Sequence, residues 1–169
     1  MNPANALSCS RILLVPLILF PLFINIPLVQ WGTAFLYLLI CLTDWLDGWV
    51  ARRWNMVTDL GKFLDPLADK VVVDLPLIVF TATGAVSPWP VIVIIGREFF
   101  VTGLRLLAAG EGLVIAAGME GKIKTAVQMA AVFFLILKWP GGEALVWISA
   151  GLGVWSGWKI WKQGKVIFK

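Results

Sequence analysis

Six apolar stretches, near 11–30, 32–51, 67–86, 88–108, 122–139 and 143–161, take up most of a chain of 169 residues. Each approaches the roughly 20 residues that a helix needs to cross the hydrocarbon core of a bilayer. Turn signals stand between them: "QWG" from Gln30, "TGAVSPWP" from Thr83, "AAGEG" from Ala108 and "WPGGE" from Trp139. The connections leave no room for a water-soluble domain. The expectation is therefore one domain over 1–169, an all-α integral membrane protein built as a bundle of six transmembrane helices. Composition points the same way: 60% of the residues are hydrophobic and 14% charged, against roughly 25% charged in an ordinary soluble domain. A mean hydropathy of +0.89 asks for more buried apolar surface than a soluble core of this size provides.

Six spans put both termini on one side. Arg11, Arg52, Arg53, Lys62, Lys70, Lys122, Lys124 and the tail lysines Lys159, Lys162, Lys165 and Lys169 fall there, and the opposite loops offer only Lys138. Positive charge marks the cytoplasmic side. The expected location is the cytoplasmic (inner) membrane of the cell, multi-pass, with both termini cytoplasmic. The formal charge of +4 is thereby a matter of topology, and no nucleic-acid partner is expected. Trp31, Trp89, Trp139 and Trp147 lie near one boundary and Trp54, Trp158 and Trp161 near the other, as an aromatic belt requires. "MNPANALSCSR" has no basic residue ahead of the apolar run, which argues against a removed signal peptide.

The chain has no histidine, which removes imidazole bases and histidine-ligated metals. Cys9 and Cys41 match no zinc or redox spacing. Any metal must then be held by oxygen, which suits Mg²⁺, Mn²⁺ or Ca²⁺. Oxygen donors are concentrated in "DWLDGWVARRWNMVTDLGKFLDPLADK", from Asp44 to Lys70. On a helix, Asp44, Asp47 and Ala51 fall at i, i+3 and i+7, with Gly48 beside them, all on one face. Two carboxylates there adjoin two residues almost without side chains, so a bulky ligand can approach the backbone. Asp65 and Asp69, at i and i+4, share a face of the next helix.

Pro66 suits a first helical turn, so the third span is expected to begin near Asp65, after a connection of about a dozen residues. Asp59 falls in that connection, facing solvent. Four carboxylates then converge at the cytoplasmic mouth of the bundle. Crowded ionised carboxylates repel or protonate unless a cation holds them, and four suffice for two Mg²⁺ or Mn²⁺ ions. The alternative is a set of interfacial acids paired with Arg52, Arg53, Lys62 and Lys70.

The pattern D-x2-D-G-x2-A-R-x8-G-x3-D-x3-D is matched by Asp44, Asp47, Gly48, Ala51, Arg52, Gly61, Asp65 and Asp69 without departure. It resembles the signature of the CDP-alcohol phosphatidyltransferases. The resemblance implies a membrane enzyme, usually a homodimer, whose dimetal site opens to the cytoplasm and to lipid. By it, Asp44, Asp47, Asp65 and Asp69 ligate the two metals, and Asp69 is also the general base on the acceptor hydroxyl. Gly48, Ala51 and Arg52 receive the CDP moiety of CDP-diacylglycerol, the donor.

The acceptor is chosen elsewhere. "GREFFVTGLRLLAAGEG" places Arg97, Glu98 and Arg105 in the fourth span, where a charge at mid-membrane costs about 2.5–3.5 kcal/mol and defaults to function. Arg97 and Glu98 are adjacent, so they do not share a helix face. Arg105 lies near the cytoplasmic end, where snorkelling is its structural alternative. "GMEGKIKTAVQM" opens the fifth span with Lys122 and Lys124, whose structural alternative is anchoring on the positive side. Together with Arg105 and Arg97 these lysines can cradle a phosphate on the incoming alcohol.

"RE…GLR" and "GKIKTAVQM" look like the bacterial branch of the family that uses glycerol 3-phosphate. "PANALSCSR" is similar to that branch's asparagine–hydroxyl–arginine opening through Asn5, Ser8 and Arg11, which adds Asn5 and Ser8 to the CDP site. Asp74 lies deeper in the third span, and Arg97 or Arg105 is its expected partner. The resemblance thus implies transfer of a phosphatidyl group from CDP-diacylglycerol to glycerol 3-phosphate, giving phosphatidylglycerophosphate and CMP. Inositol phosphate or serine as acceptor is the nearest alternative. A divalent-cation transporter is a distant one, since it would hold its carboxylates at mid-membrane on broken helices.

Overall fold

The computed structural model describes residues 14–16, 18–24, 26–53, 59–113 and 118–164, with side chains over 44–69 outside that description. Asn5, Ser8 and Arg11 lie outside the described residues. Among the described residues there is no strand. Residues 14–16 and 18–19 are helical, and a 3₁₀ turn, Phe20–Phe23, then precedes five helices bounded within the described residues: α1 Pro27–Arg53, α2 Asp59–Ala82, α3 Pro88–Gly110, α4 Met119–Ile136 and α5 Gly142–Gly164. The described residues are all-α, as expected.

Two boundaries differ from the sequence reading. Helix α1 starts at Pro27 and runs through Gln30, Trp31 and Gly32, so "QWG" ends nothing. The break comes earlier, where Ile24 N–H donates to the Pro21 carbonyl at 2.9 Å after the 3₁₀ turn. Pro27 is suited to a first helical position, and an interior glycine costs only about 1 kcal/mol, too little to stop a long apolar helix.

Helix α2 starts at Asp59, six residues ahead of Asp65. Pro66 is therefore inside the helix, and Asp59 opens the helix instead of sitting in a loop. Leu60, Phe63 and Leu64 carry the helical apolar spacing back to that point.

Three helices end in the same way, each with a left-handed residue that satisfies the last carbonyls. After α2, Ala85 N–H reaches Phe80 O (2.9 Å) and Gly84 N–H reaches Thr81 O (3.1 Å). After α3 the pair is Leu113 to Ala108 (2.8 Å) and Gly112 to Ala109 (3.1 Å). After α4 it is Trp139 to Phe134 (2.9 Å) and Lys138 to Leu135 (3.1 Å). Gly84 and Gly112 adopt positive φ freely, but Lys138 holds φ 54° with a side chain, at a cost of about 1–2 kcal/mol. Lys138→Gly is accordingly expected to raise stability by about 1 kcal/mol, read as a higher melting temperature in detergent. An unchanged or lower melting temperature would show that the lysine side chain offsets its own strain.

Helix α4 is central: it packs along α5 most extensively and also against α1 and α2, while α3 packs on α5 and α2. Leu77, Ile94, Val132 and Val146, from α2, α3, α4 and α5, are fully buried together. Alternating helix directions bring the end of α1, the start of α2, the end of α3, the start of α4 and the end of α5 to one end of the bundle. At the other end the Trp31 and Trp139 rings meet edge to face at 5.9 Å. Large apolar side chains point outward along the helices, among them Leu28, Phe35, Phe99 and Leu106. Among the described residues no helix is long and apolar enough to cross a membrane. Arg97, Glu98 and Arg105 interrupt α3, and Glu120, Lys122 and Lys124 interrupt α4.

Candidate functional site

Asp44, Asp47, Gly48, Ala51 and Arg52 all fall within the last turns of α1. Asp65 and Asp69 fall within the first turns of α2. Both helices are regular there, so 100° per residue puts Asp44, Asp47, Gly48 and Ala51 on one face of α1, and Asp65 and Asp69 on one face of α2. The two segments lie on either side of residues 54–58 in the chain and share one end of the bundle. Their side chains lie outside the description, and among the described residues no group of three His, Cys, Asp or Glu could hold a metal. As a donor set, four carboxylates without nitrogen or sulfur fit Mg²⁺ or Mn²⁺.

One residue past Asp69 a polar seam begins and continues through the bundle. Lys70 of α2 donates a hydrogen bond to the Thr102 hydroxyl of α3. Thr102 in turn donates to the Glu98 carbonyl at 2.8 Å. The Glu98 carboxylate binds the ammonium of Lys124 from α4 and Arg97 Nη1 at 3.0 Å. Arg97 thus pairs with its own neighbour, although the two leave the helix in different directions. A long guanidinium can fold back across one residue, which helix-face spacing does not capture.

The same guanidinium donates from Nε to the Gly153 carbonyl of α5 at 3.1 Å and from Nη2 to the Ser156 hydroxyl at 2.7 Å. Glycines line this approach: a Cβ on Gly157 would lie 3.4 Å from Arg97 Cγ and one on Gly153 would lie 3.6 Å from Lys124 Cδ, both within ordinary contact range. Asp74 has Glu98, Lys124 and Lys70 as its electrostatic neighbours. The expected partners Arg97 and Arg105 are directed elsewhere: Arg97 to α5, and Arg105 to a cleft.

That cleft, of about 330 Å³, opens between α3, α4 and α5 at the end that carries the aspartate segments. Arg105, Lys159 and Lys162 bring three cations to it, Glu120 one carboxylate and Ser156 a hydroxyl. Arg105 Nε is buried there without a hydrogen-bond partner among the described residues. The Lys159 ammonium pairs with Glu120 and lies 5.2 Å from the Trp155 ring centre. The Lys162 ammonium lies 5.5 Å from the Trp158 ring centre. Lys159 holds the Glu120 carboxyl below the usual glutamate range by hydrogen bonding.

Of the four cations expected around an acceptor phosphate, the structure brings Arg105 to an open cavity. Arg97 and Lys124 are engaged by Glu98 behind Ser156, and Lys122 is exposed on the first turn of α4. Lys159, Lys162 and Ser156 were not anticipated, although Ser156-x2-Lys159-x2-Lys162 is a helical spacing that follows one side of α5. Their signal was hidden in a basic, aromatic tail that an interfacial anchor explains equally well.

Comparison with known proteins identifies the family. The family model described as CDP-alcohol phosphatidyltransferase matches residues 1–155. A CDP-diacylglycerol–glycerol-3-phosphate 3-phosphatidyltransferase of Bacillus subtilis (strain 168) is 39% identical, over 96% of this chain and 94% of its own length. A protein of the same name from Rickettsia bellii (strain RML369-C) is 36% identical, over 99% and 97%. Another from Escherichia coli (strain K12) is 33% identical, over 92% and 90%. The aspartate signature, the all-helical bundle and these full-length similarities agree: the chain belongs to the CDP-alcohol phosphatidyltransferase family.

Proposed function

We propose that this protein transfers the phosphatidyl group of CDP-diacylglycerol to glycerol 3-phosphate, yielding phosphatidylglycerophosphate and CMP. One observation carries the choice of acceptor: a cleft with Arg105, Lys159 and Lys162 on its wall lies at the same end of the bundle as the aspartate helix segments. Inositol brings no charge and serine a single carboxylate, whereas a phosphomonoester matches three cations. Inositol phosphate meets the same condition, and the names of the relatives favour glycerol 3-phosphate over it.

In this reading Asp44, Asp47, Asp65 and Asp69 hold two Mg²⁺ or Mn²⁺ ions, which supply Lewis-acid stabilisation of the diphosphate when bound. Gly48 and Ala51 leave room for the nucleotide against α1, and Arg52, with Asn5 and Ser8, contributes hydrogen bonds to it. Arg105 orients the acceptor through its phosphate. Arg97 and Lys124, fixed by Glu98, add positive field from behind Ser156, and Lys122 adds to it from the surface. Asp69 takes the proton from the acceptor hydroxyl as its oxygen attacks the phosphorus that bears the lipid, and the bond from that phosphorus to CMP breaks.

The bundle is proposed to lie in the cytoplasmic membrane as a homodimer, with the aspartates and both termini on the cytoplasmic side. Support comes from the outward apolar side chains of α1 and α3, which a water-soluble surface rarely gathers, and from the skew of lysine and arginine. Among the charges that interrupt α3 and α4, Arg97, Glu98 and Lys124 are paired with one another inside the bundle, as buried intramembrane charges are expected to be.

Purified protein supplied with Mn²⁺ or Mg²⁺, CDP-diacylglycerol and a panel of alcohols is expected to release CMP with glycerol 3-phosphate and not with inositol phosphate or serine. Turnover on another alcohol alone overturns the acceptor. Full turnover after removal of divalent ions overturns the metal site.

A further inference from the structure

A carboxylate in the wall of an anion cleft is out of place, because it repels the ligand that the cations attract. Glu120 stands there, on the first turn of α4, closed on Lys159 of α5. The pair spans the mouth between the two helices. Lys159 is half exposed and Glu120 about one-fifth exposed, so neither is locked by packing. Lys159 also rests over the Trp155 ring, a second seat that keeps its ammonium at the mouth when the carboxylate lets go. While the pair is closed, Arg105 and Lys162 are the cations left to meet an incoming phosphate among the described residues of the lining.

We propose that Glu120 is a specificity-determining competitor in the acceptor site: Lys159 exchanges between the Glu120 carboxylate and the phosphate of the acceptor. This deepens the reading of the cleft as the acceptor-phosphate site and rests on it. The chemistry makes such an exchange useful, because the acceptor's phosphate is not consumed. It stays on the product, and a cleft that held it with three uncontested cations would release the product slowly. Glu120 reclaims Lys159 as the phosphate leaves, and so weakens acceptor and product together. A small alcohol without a phosphate cannot displace Glu120 and meets a closed mouth.

The test measures KM for glycerol 3-phosphate, by CMP release from the full-length protein in CDP-diacylglycerol mixed micelles, for Glu120→Gln and Lys159→Gln. The exchange requires opposite shifts: E120Q lowers KM by about 2- to 5-fold and K159Q raises it by a similar factor, the scale of a single exposed charge pair. A pair that merely ties α4 to α5 moves both variants the same way. Shifts in the same direction, or no shift in either, overturn the proposal, and whichever variant folds is held to its own predicted direction. Absence of turnover with glycerol 3-phosphate in the parent protein overturns the acceptor reading and the proposal with it. Normal turnover without the opposite shifts overturns the proposal alone.

Discussion

Asp69→Asn is expected to lower kcat for CMP release by about 10²–10⁴-fold, the range for losing a positioned general base. Asparagine keeps the shape and one oxygen but cannot accept the acceptor's proton. Asp69 is also placed among the metal ligands, so a bare loss of activity is ambiguous. Titration with Mn²⁺ separates the two roles. A defect that persists at saturating Mn²⁺ belongs to proton transfer, whereas recovery at high Mn²⁺ assigns Asp69 to metal binding alone. Full activity at ordinary Mn²⁺ sinks both roles. Asp69 sits one residue before Lys70, which is tied to Thr102 of α3. That anchor, on the same turn of α2, gives the backbone at Asp69 a fixed relation to the rest of the bundle.

The second large effect is on folding. Glu98→Ala is expected to destabilise the protein by about 3–5 kcal/mol, the cost of removing one partner from a buried ionic cluster. Lys124 is only 5% exposed, and Arg97 nearly as enclosed. Without Glu98 both cations stay buried with Asp74 as the remaining carboxylate among the neighbours of Lys124. Glu98→Gln keeps an acceptor oxygen for both and is expected to cost less, about 1–3 kcal/mol. Thermal unfolding in detergent distinguishes them. Equal melting temperatures for parent and alanine variant would mean that Arg97 and Lys124 find compensation elsewhere, and would remove Glu98 from its role as the hub of α3, α4 and α5.

The helix positions of the candidate site residues were legible before folding was considered. Residues fixed by helical periodicity could be read directly: Asp44, Asp47, Gly48 and Ala51 lie on a regular stretch of α1, and Asp65 and Asp69 on a regular stretch of α2. Helix limits were less legible, because proline signals compete with apolar periodicity. Pro27 starts a helix, yet Pro66 is carried inside one. The chain's many lysines and arginines were least legible of all, since anchoring on the positive side and ligand binding call for the same residue type at the same end. Arg97 looked unable to meet Glu98, and Lys159 looked like part of a surface anchor.

By itself, then, the sequence determined the family, the helical class and the grouping of the aspartates by face, since each depends on local spacing at 100° per residue. Tertiary structure decided which charges are spent and which remain available. Packing α3 against the glycines of α5 buries Arg97 on Ser156, and packing α4 between them delivers Lys124 to Glu98. Arg105 alone of the expected acceptor cations is left facing an open cleft, joined there by Lys159 and Lys162 from more than 50 residues away in the chain. Charges act through space over a few ångströms, so distances between helices settled their roles.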